Sequence, residues 1–311
     1  MRVLVTGVSG FLAPHVARAL LEAGHTVVGW DARPPATFIV PVLVGDLLDQ
    51  VMLSRALTDI DAICHLAGVG DVHLAAAEPI RAVRDNVMAT TALVQAATAA
   101  GVKRLVFAST WEVYGPPAYQ PMDEAHPTQP NNPYSITKLA AERLGENLAQ
   151  QSGLTFVALR LGTAYGPGMR SSTVIRRFAE RARQGQPLLI QGTGRQFRQF
   201  THVSDIAQAF CHALDSAAPA GVYNIASAER VTIEQVAAAA VQYFGGTVQH
   251  TAMRAGEPPA ATIAVQRARA LLGWQATVPF ARGIEACFAA LRAEQIGSSE
   301  ITASIAGAPG E

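Results

Sequence analysis

Along the first half of the chain, short unbroken apolar runs alternate with longer stretches in which apolar positions recur every three or four residues. The runs fall at 2–6, 26–30, 42–44, 62–66, 104–108 and 154–161, each too short for a buried helix and long enough for a strand. The helical period fills 11–23, which stops at Gly24, and an Ala-rich stretch over 80–100, which stops at Gly101. A strand that is apolar on both faces has no wet side. Strands of this kind, separated by helices, predict a parallel sheet covered on both faces, an α/β doubly wound fold.

The texture changes after Leu161. Gly and Pro punctuate 162–168 and 185–194, and between Glu146 and Asp205 stand eight arginines and a single acid, Glu180. An apolar run returns at 222–226, a helical pattern at 233–243, and a last helical unit ends near residue 293. The organisation predicted is a main α/β domain over 1–165, completed by about 199–226. A smaller mixed C-terminal lobe takes 166–198 and 227–295, and a loose Ser-, Ala- and Gly-rich tail takes 296–311.

Composition narrows the class. Half of the 311 residues are hydrophobic and 15% are charged, which supplies a core and excludes a disordered chain. The 24 basic and 24 acidic residues cancel, which disfavours binding to nucleic acid by phosphate neutralisation. No apolar run approaches the roughly 18 residues of a membrane span, so no membrane partner is expected. Cys64, Cys211 and Cys287 form no CxxC pair, and the eight histidines show no ligand spacing. A cytoplasmic protein without a metal site is expected. Of the 24 basic residues only Lys103 and Lys138 are lysine, so a retained Lys draws attention to its chemistry.

Two constellations carry chemistry. Gly7-Val8-Ser9-Gly10-Phe11-Leu12-Ala13 follows the first strand and opens the first helix. Gly7 permits a tight turn, Gly10 a close approach of backbone to a pyrophosphate, and Ala13 close helix–strand packing. Alone the motif reads equally as a tight strand–helix turn; its place after a strand and before a helix favours a dinucleotide. Asp31 ends the second strand, where an acid bonds ribose hydroxyls and repels a 2′-phosphate, so NAD is predicted over NADP, with Arg33 nearby. Asp46 is placed to meet the adenine amine or to cap a helix. Further on, Asn132-Pro133 reads as a helix start that sets Tyr134 and Lys138 four apart on one face. An ammonium beside a phenol lowers the phenol's pKa and makes a base. The other reading is a surface pair. Ser109-Thr110 ends the fifth strand at the carboxyl edge, where open α/β sheets bind ligands, and Thr110 is expected to bond the oxygen that Tyr134 deprotonates.

These motifs, with His65-Leu66-Ala67-Gly68, Thr110-x-Glu112-Val113-Tyr114-Gly115, Arg160-Leu161-Gly162-Thr163-Ala164-Tyr165-Gly166-Pro167, Arg198, His202-Val203-Ser204-Asp205, Arg254 and Leu272-Gly273-Trp274, resemble the extended short-chain dehydrogenase/reductases. The likeness is to their NAD-dependent nucleotide-sugar epimerase/dehydratase branch, with UDP-glucose 4-epimerase as a close type, and runs to about Leu291. It implies a Rossmann-type sheet and a catalytic trio of Thr110, Tyr134 and Lys138. Cofactor contacts are implied at Gly7, Ser9, Gly10, Phe11, Leu12, Asp31, Asp46, Leu47, Leu66, Ala67, Gly68, Asn86 and Ser109, as well as at Tyr134 and Lys138. Asn86 reads equally as a buried polar helix residue. Arg198 and Arg254 are implied to hold the diphosphate, with Trp111, Glu112 and Thr163 along the sugar nucleotide. Trp111 stands where the 4,6-dehydratases carry an Asp acid, which disfavours dehydration, and Thr163 stands where many relatives have Asn. The expectation is a 4-epimerase of a UDP-hexose or UDP-uronic acid. A decarboxylase, for which Glu112 speaks, a 4-keto-sugar reductase and a non-catalytic NAD sensor are the alternatives. A homodimer is implied, joined through the Ala-rich helices near 86–100 and 134–151; the other reading packs both Ala faces inside one subunit.

Overall fold

The computed structural model describes residues 1–35, 38–215, 217–252 and 261–306. The first repeating unit is strand, helix, strand: β1 (Arg2–Thr6), α1 (Ala13–Glu22) and β2 (Thr26–Asp31). There follow β3 (Val42–Val44), α2 (Gln50–Ala56), β4 (Ala62–His65), α3 (Val72–Ala77), α4 (Pro79–Ala82), a π-helical turn Val83–Met88 and α5 (Ala89–Ala99). The middle of the chain follows: β5 (Arg104–Thr110), a 3₁₀ turn Trp111–Tyr114, α6 (Pro133–Gln150) and β6 (Thr155–Leu161). The C-terminal part contains β7 (Thr163–Tyr165), α7 (Val174–Arg183), β8 (Leu188–Gln191), β9 (Phe197–Arg198), β10 (Phe200–His202) and α8 (Val203–Leu214). It closes with β11 (Gly221–Ile225), β12 (Val231–Thr232), α9 (Ile233–Phe244), β13 (Val248–Thr251), a π turn Ala268–Leu272 and α10 (Phe280–Ala306).

Seven strands form one parallel sheet in the order β11-β6-β5-β4-β1-β2-β3. The order reverses between β1 and β4, the point beyond whose carboxyl ends open α/β sheets bind their ligands. Within β1 the side chains alternate: Val3 and Val5 join α1 and α8 in one core, while Leu4 joins α2, α5 and α6 in the other. This is the two-residue period of a strand buried on both faces. A third core fills the C-terminal part, where Tyr165, Phe178, Phe200, Phe280 and Phe288 meet between α7, α9 and α10. No helix of the described residues is long and apolar enough to cross a membrane.

Several expectations are corrected. The helix read over 80–100 is refined rather than lost: α4, the π turn and α5 follow one another over 79–99 with helical backbone at each junction, Pro79 takes the first turn, and the extra residue of the π turn shifts the register. The tail expected from residue 296 is helical through Ala306, because extending a helix past Gly297 costs about 1 kcal/mol whereas starting one costs more. The Ala faces of α5 and α6 pack inside the subunit: Ala89, Ala92, Ala96, Ala97, Ala141 and Ala149 are all buried. Their outward apolar residues are instead Ile136 and Leu144 on α6 and Ile80, Val83 and Met88 on the segment leading into α5.

The outer edge of β11 is covered. Asn224 N–H donates to Glu124 Oε1 at 2.8 Å, and Asn224 Nδ2 donates to Ala264 O at 3.0 Å and Met122 O at 3.2 Å. At the opposite edge β3 has only three residues.

Candidate active site

The glycine loop is held from both sides. Gly7 takes φ of +79°, and a Cβ there would lie 2.7 Å from Ala67 N, so the loop packs directly on the turn after β4. Thr6 Oγ1 accepts from Leu66 N at 3.2 Å and Ala67 N at 3.1 Å and bonds His65 Nδ1 at 2.7 Å, which fixes that turn. Asp31 Oδ2 accepts from Ser9 N at 2.8 Å and Oδ1 from Arg33 N at 3.0 Å, which ties the end of β2 to the loop. A carboxylate offers about four acceptor positions, so capacity for ribose hydroxyls remains. Leu12 stands at the start of α1, which no side chain caps, and the opening amides keep their capacity to bind an anion. These features fit a dinucleotide.

Other cofactor candidates have structural partners. Asp46 pairs with Arg84 and accepts from Leu48 N at 3.0 Å; the cap of α2 is Asp49, which accepts from Val51 N and Met52 N. Asn86 lies in the π turn, buried. Its Oδ1 accepts from Val69 N at 2.7 Å, and its Nδ2 donates to Val69 O and to Thr137 Oγ1 at 2.9 Å. It thereby pins the turn containing Gly68 to α6, and a Cβ on Gly68 would meet its Oδ1. Leu47 is in the core beneath α2, Leu66 packs on the opposite core, and Phe11 reaches across to the C-terminal core.

The helix bearing the reactive pair starts as the sequence demands. Asn132 Oδ1 accepts from Ser135 N at 2.9 Å, Ser135 Oγ answers Asn132 N at 3.4 Å, and Pro133 takes the first turn. Farther along, a Cβ on Gly145 would lie 2.5 Å from the Phe156 ring, so this glycine lets α6 settle on β6. Thr110, last residue of β5, stands beside the Tyr134 side chain, and its Oγ1 accepts from Glu112 N at 3.2 Å. Tyr134 and Lys138 occupy one side of α6, and Lys138 Nζ stands 4.2 Å from the centre of the Phe107 ring.

The electrostatics differ from the expectation. Burial and the Glu112 carboxylate hold the Tyr134 phenol up to about 12, opposed by the Thr110 hydroxyl and Arg170. Burial pulls Lys138 down to about 7, while Glu142 supports its charge. Lys138 directs its ammonium at an aromatic face, and its own burial weakens the charge it offers the phenol. His65, between Thr6 and Thr90, is held down to about 3 by burial and by the Lys138 charge. Burial raises the Glu112 carboxyl, against the hydrogen bond from Asn132 Nδ2 and the charge of Arg198.

Thr110, Glu112, Tyr134 and Lys138 thus come together with Arg198 within electrostatic reach. Trp111 packs with Val113, Tyr114 and Met122 beside them. Thr163 lies on β7 opposite Phe200, two residues beyond Arg198. Arg254 is outside the described residues. Sequence reading missed two features. Arg170, paired with Asp71 at 3.6 Å, faces Tyr134 through its charge. Glu142, fully buried, binds Arg160 at 2.6 and 3.1 Å and accepts from Ser109 Oγ at 2.6 Å. Ser109 is thus committed to the protein interior. Glu142 was legible, as the residue one turn after Lys138; Arg170 carried no local signal.

A model of the NAD dependent epimerase/dehydratase family matches residues 3–226. A UDP-glucose 4-epimerase of Azospirillum brasilense is 32% identical over 301 residues, covering 88% of this chain and 86% of that protein. A dTDP-D-glucose 4,6-dehydratase of Mus musculus is 30% identical over 308 residues, covering 91% and 86%. Among solved structures, MoeE5 in complex with UDP-glucuronic acid and NAD matches with a TM-score of 0.86 at 34% identity, over 94% of this chain and 100% of that one.

Proposed function

Since the chain belongs to the NAD-dependent epimerase/dehydratase family, we propose that it inverts carbon-4 of a UDP-sugar through a transient 4-keto sugar. The observation that carries the reading is Thr110 beside Tyr134 at the carboxyl edge of the sheet, with Trp111 at the position where a dehydratase needs an acid. Thr110 orients the sugar 4-hydroxyl and Tyr134 takes its proton. When bound, NAD would supply a reversible acceptor for the carbon-4 hydride. Gly7, Gly10, the first turn of α1, Asp31 and Lys138 would hold that cofactor. Arg198 and Arg254 would hold the diphosphate, which suits planar guanidinium groups. An indole at 111 gives no proton to a leaving hydroxyl, so dehydration stops short.

Among UDP-sugars, a UDP-uronic acid is favoured. Arg170 faces Tyr134 with its guanidinium half exposed, and a carboxylate at carbon-6 is the sugar group that would answer a cation there. Residues 1–165 with 199–226 serve the cofactor, and 166–198 with 227–295 the sugar nucleotide. The enzyme works as a homodimer in the cytoplasm.

The test is UDP-glucuronic acid deuterated at carbon-4. The 4-epimer should form with deuterium retained and without net NADH. Carbon dioxide and a UDP-pentose would instead indicate the decarboxylase for which the raised Glu112 carboxyl speaks. Stoichiometric consumption of reduced cofactor would indicate a reductase, and cofactor binding without turnover a sensor. Tyr134→Phe should lower kcat by about 10²–10⁴-fold, the usual worth of a general base.

A further inference from the structure

Beneath the reactive pair lies a charge cluster that no substrate touches. Glu142 is one turn beyond Lys138 and two beyond Tyr134, on the inner side of α6. It is fully buried, and so is its partner Arg160 on β6. Arg160 Nη2 and Nε donate to the two Glu142 oxygens at 2.6 and 3.1 Å, and the Arg160 guanidinium lies 4.7 Å from the Tyr114 ring. The third bond to Glu142 comes from Ser109 Oγ at 2.6 Å, and Ser109 immediately precedes Thr110. A buried ion pair of this kind is weak evidence for stability, since an apolar replacement often serves as well. Its position demands another reason.

We propose that Glu142 is a positioning residue for the reaction: it is the fixed counter-charge of Lys138 and, through Ser109, it registers the strand carrying Thr110 against the helix carrying Tyr134. The assignment rests on the reading of Tyr134 and Lys138 as the reacting pair. Glu142 offers Lys138 its charge without a direct bond, because its oxygens are held by Ser109 and Arg160. The ammonium so remains unclaimed by any protein acceptor among the described residues, while its charge is sustained from below. The other titratable groups near Lys138 oppose or ignore that charge. His65 on β4 stays neutral and would repel it if protonated, Tyr134 on α6 is protonated, and Arg160 on β6 shares the Glu142 carboxylate from the far side. Phe107 and Ser109 on β5 and Thr90 on α5 carry no charge.

The chain's lysine count makes this measurable. Lys103 is exposed and Lys138 buried, so protein labelled with ¹³C at lysine Cε gives two signals, one an internal reference. The full chain is titrated with and without saturating NAD, and matched states are compared. Glu142→Gln should lower the Lys138 midpoint by about one pH unit or more, the usual size of a neighbouring-charge effect, and leave Lys103 unchanged. Arg160→Met, which leaves the carboxylate unshared, should raise it. Glu142→Gln with Arg160→Met keeps the buried site neutral, guards against misfolding of the single variants, and should also lower the midpoint. Where turnover is measurable, the pH limb of kcat assigned to Lys138 should move with the midpoint. A Lys138 midpoint unmoved in the double variant, or raised in Glu142→Gln, overturns the proposal. Shifted midpoints in a protein that turns over no sugar nucleotide leave the counter-charge standing and sink the enzymatic reading instead.

Discussion

Lys138 shows what a single buried cation does to the whole molecule. Its folded value is about 7 and the unfolded value about 10.4, so between these the unfolded chain binds more protons than the folded one. Stability attributable to this group therefore rises with pH across that window, and the penalty of burying the ammonium is complete below pH 7. Lys138→Met removes the penalty. The variant should exceed wild type in urea midpoint at pH 6, and the gap should close by pH 10. A gap independent of pH would refute the assignment. Tyr134, Lys138 and Asp31 were legible because their chemistry is local: a four-residue spacing, or a strand end. Arg170 was not, because its meaning depends on Asp71 and Tyr134, which are remote in sequence, and Glu142 showed only its helical spacing from Lys138, its bonds to Ser109 and Arg160 being long-range.

At the scale of elements, the strands of the main sheet were readable, three-residue β3 included, and the short strands outside it were not. β1, β2, β5 and β6 have five to seven residues of apolar sequence, and each was placed within a residue or two. The strands β7, β9, β10 and β12 have two or three residues, too few to show any period. They exist because neighbours supply their hydrogen bonds. The start of α6 was legible because its cap is written in adjacent residues, and it bears the most function. Asn132→Ala removes the acceptor for Ser135 N and a donor to Glu112. It should cost about 1 kcal/mol of stability in urea denaturation and lower kcat more than it alters KM, because the first turn sets Tyr134. Asn132→Ser, which can still cap, should recover most of the stability. A variant as stable as wild type would show that the cap is dispensable.

The whole molecule poses the question of its partner. Ile80 is 85% exposed and Ile136 50%, and with Val83, Met88 and Leu144 they leave apolar side chains on the outward side of the helices that follow β4 and precede β6. A two-fold pairing of this surface would bury it. The alanines that first pointed to these helices are spent inside the subunit, so a pairing here would rest on the larger residues. Wild type should scatter light as a dimer at micromolar concentration, and Ile136→Asp with Leu144→Asp as a monomer. A wild-type monomer would remove the claim.

The stitched rim of the sheet bears on the same question. The outward amide of Asn224 is occupied by Glu124, its side chain clasps two further segments, and the far rim offers only the three residues of β3. Exposed strand edges are templates on which a second chain can add a strand and grow a fibril. Here one rim is sealed and the other too short to template. A partially opened molecule that lost the Glu124 bond, with the segments that Asn224 clasps at Met122 and Ala264, would present a five-residue strand with its Asn224 amide free, and that rim is where aggregation of a damaged chain would begin.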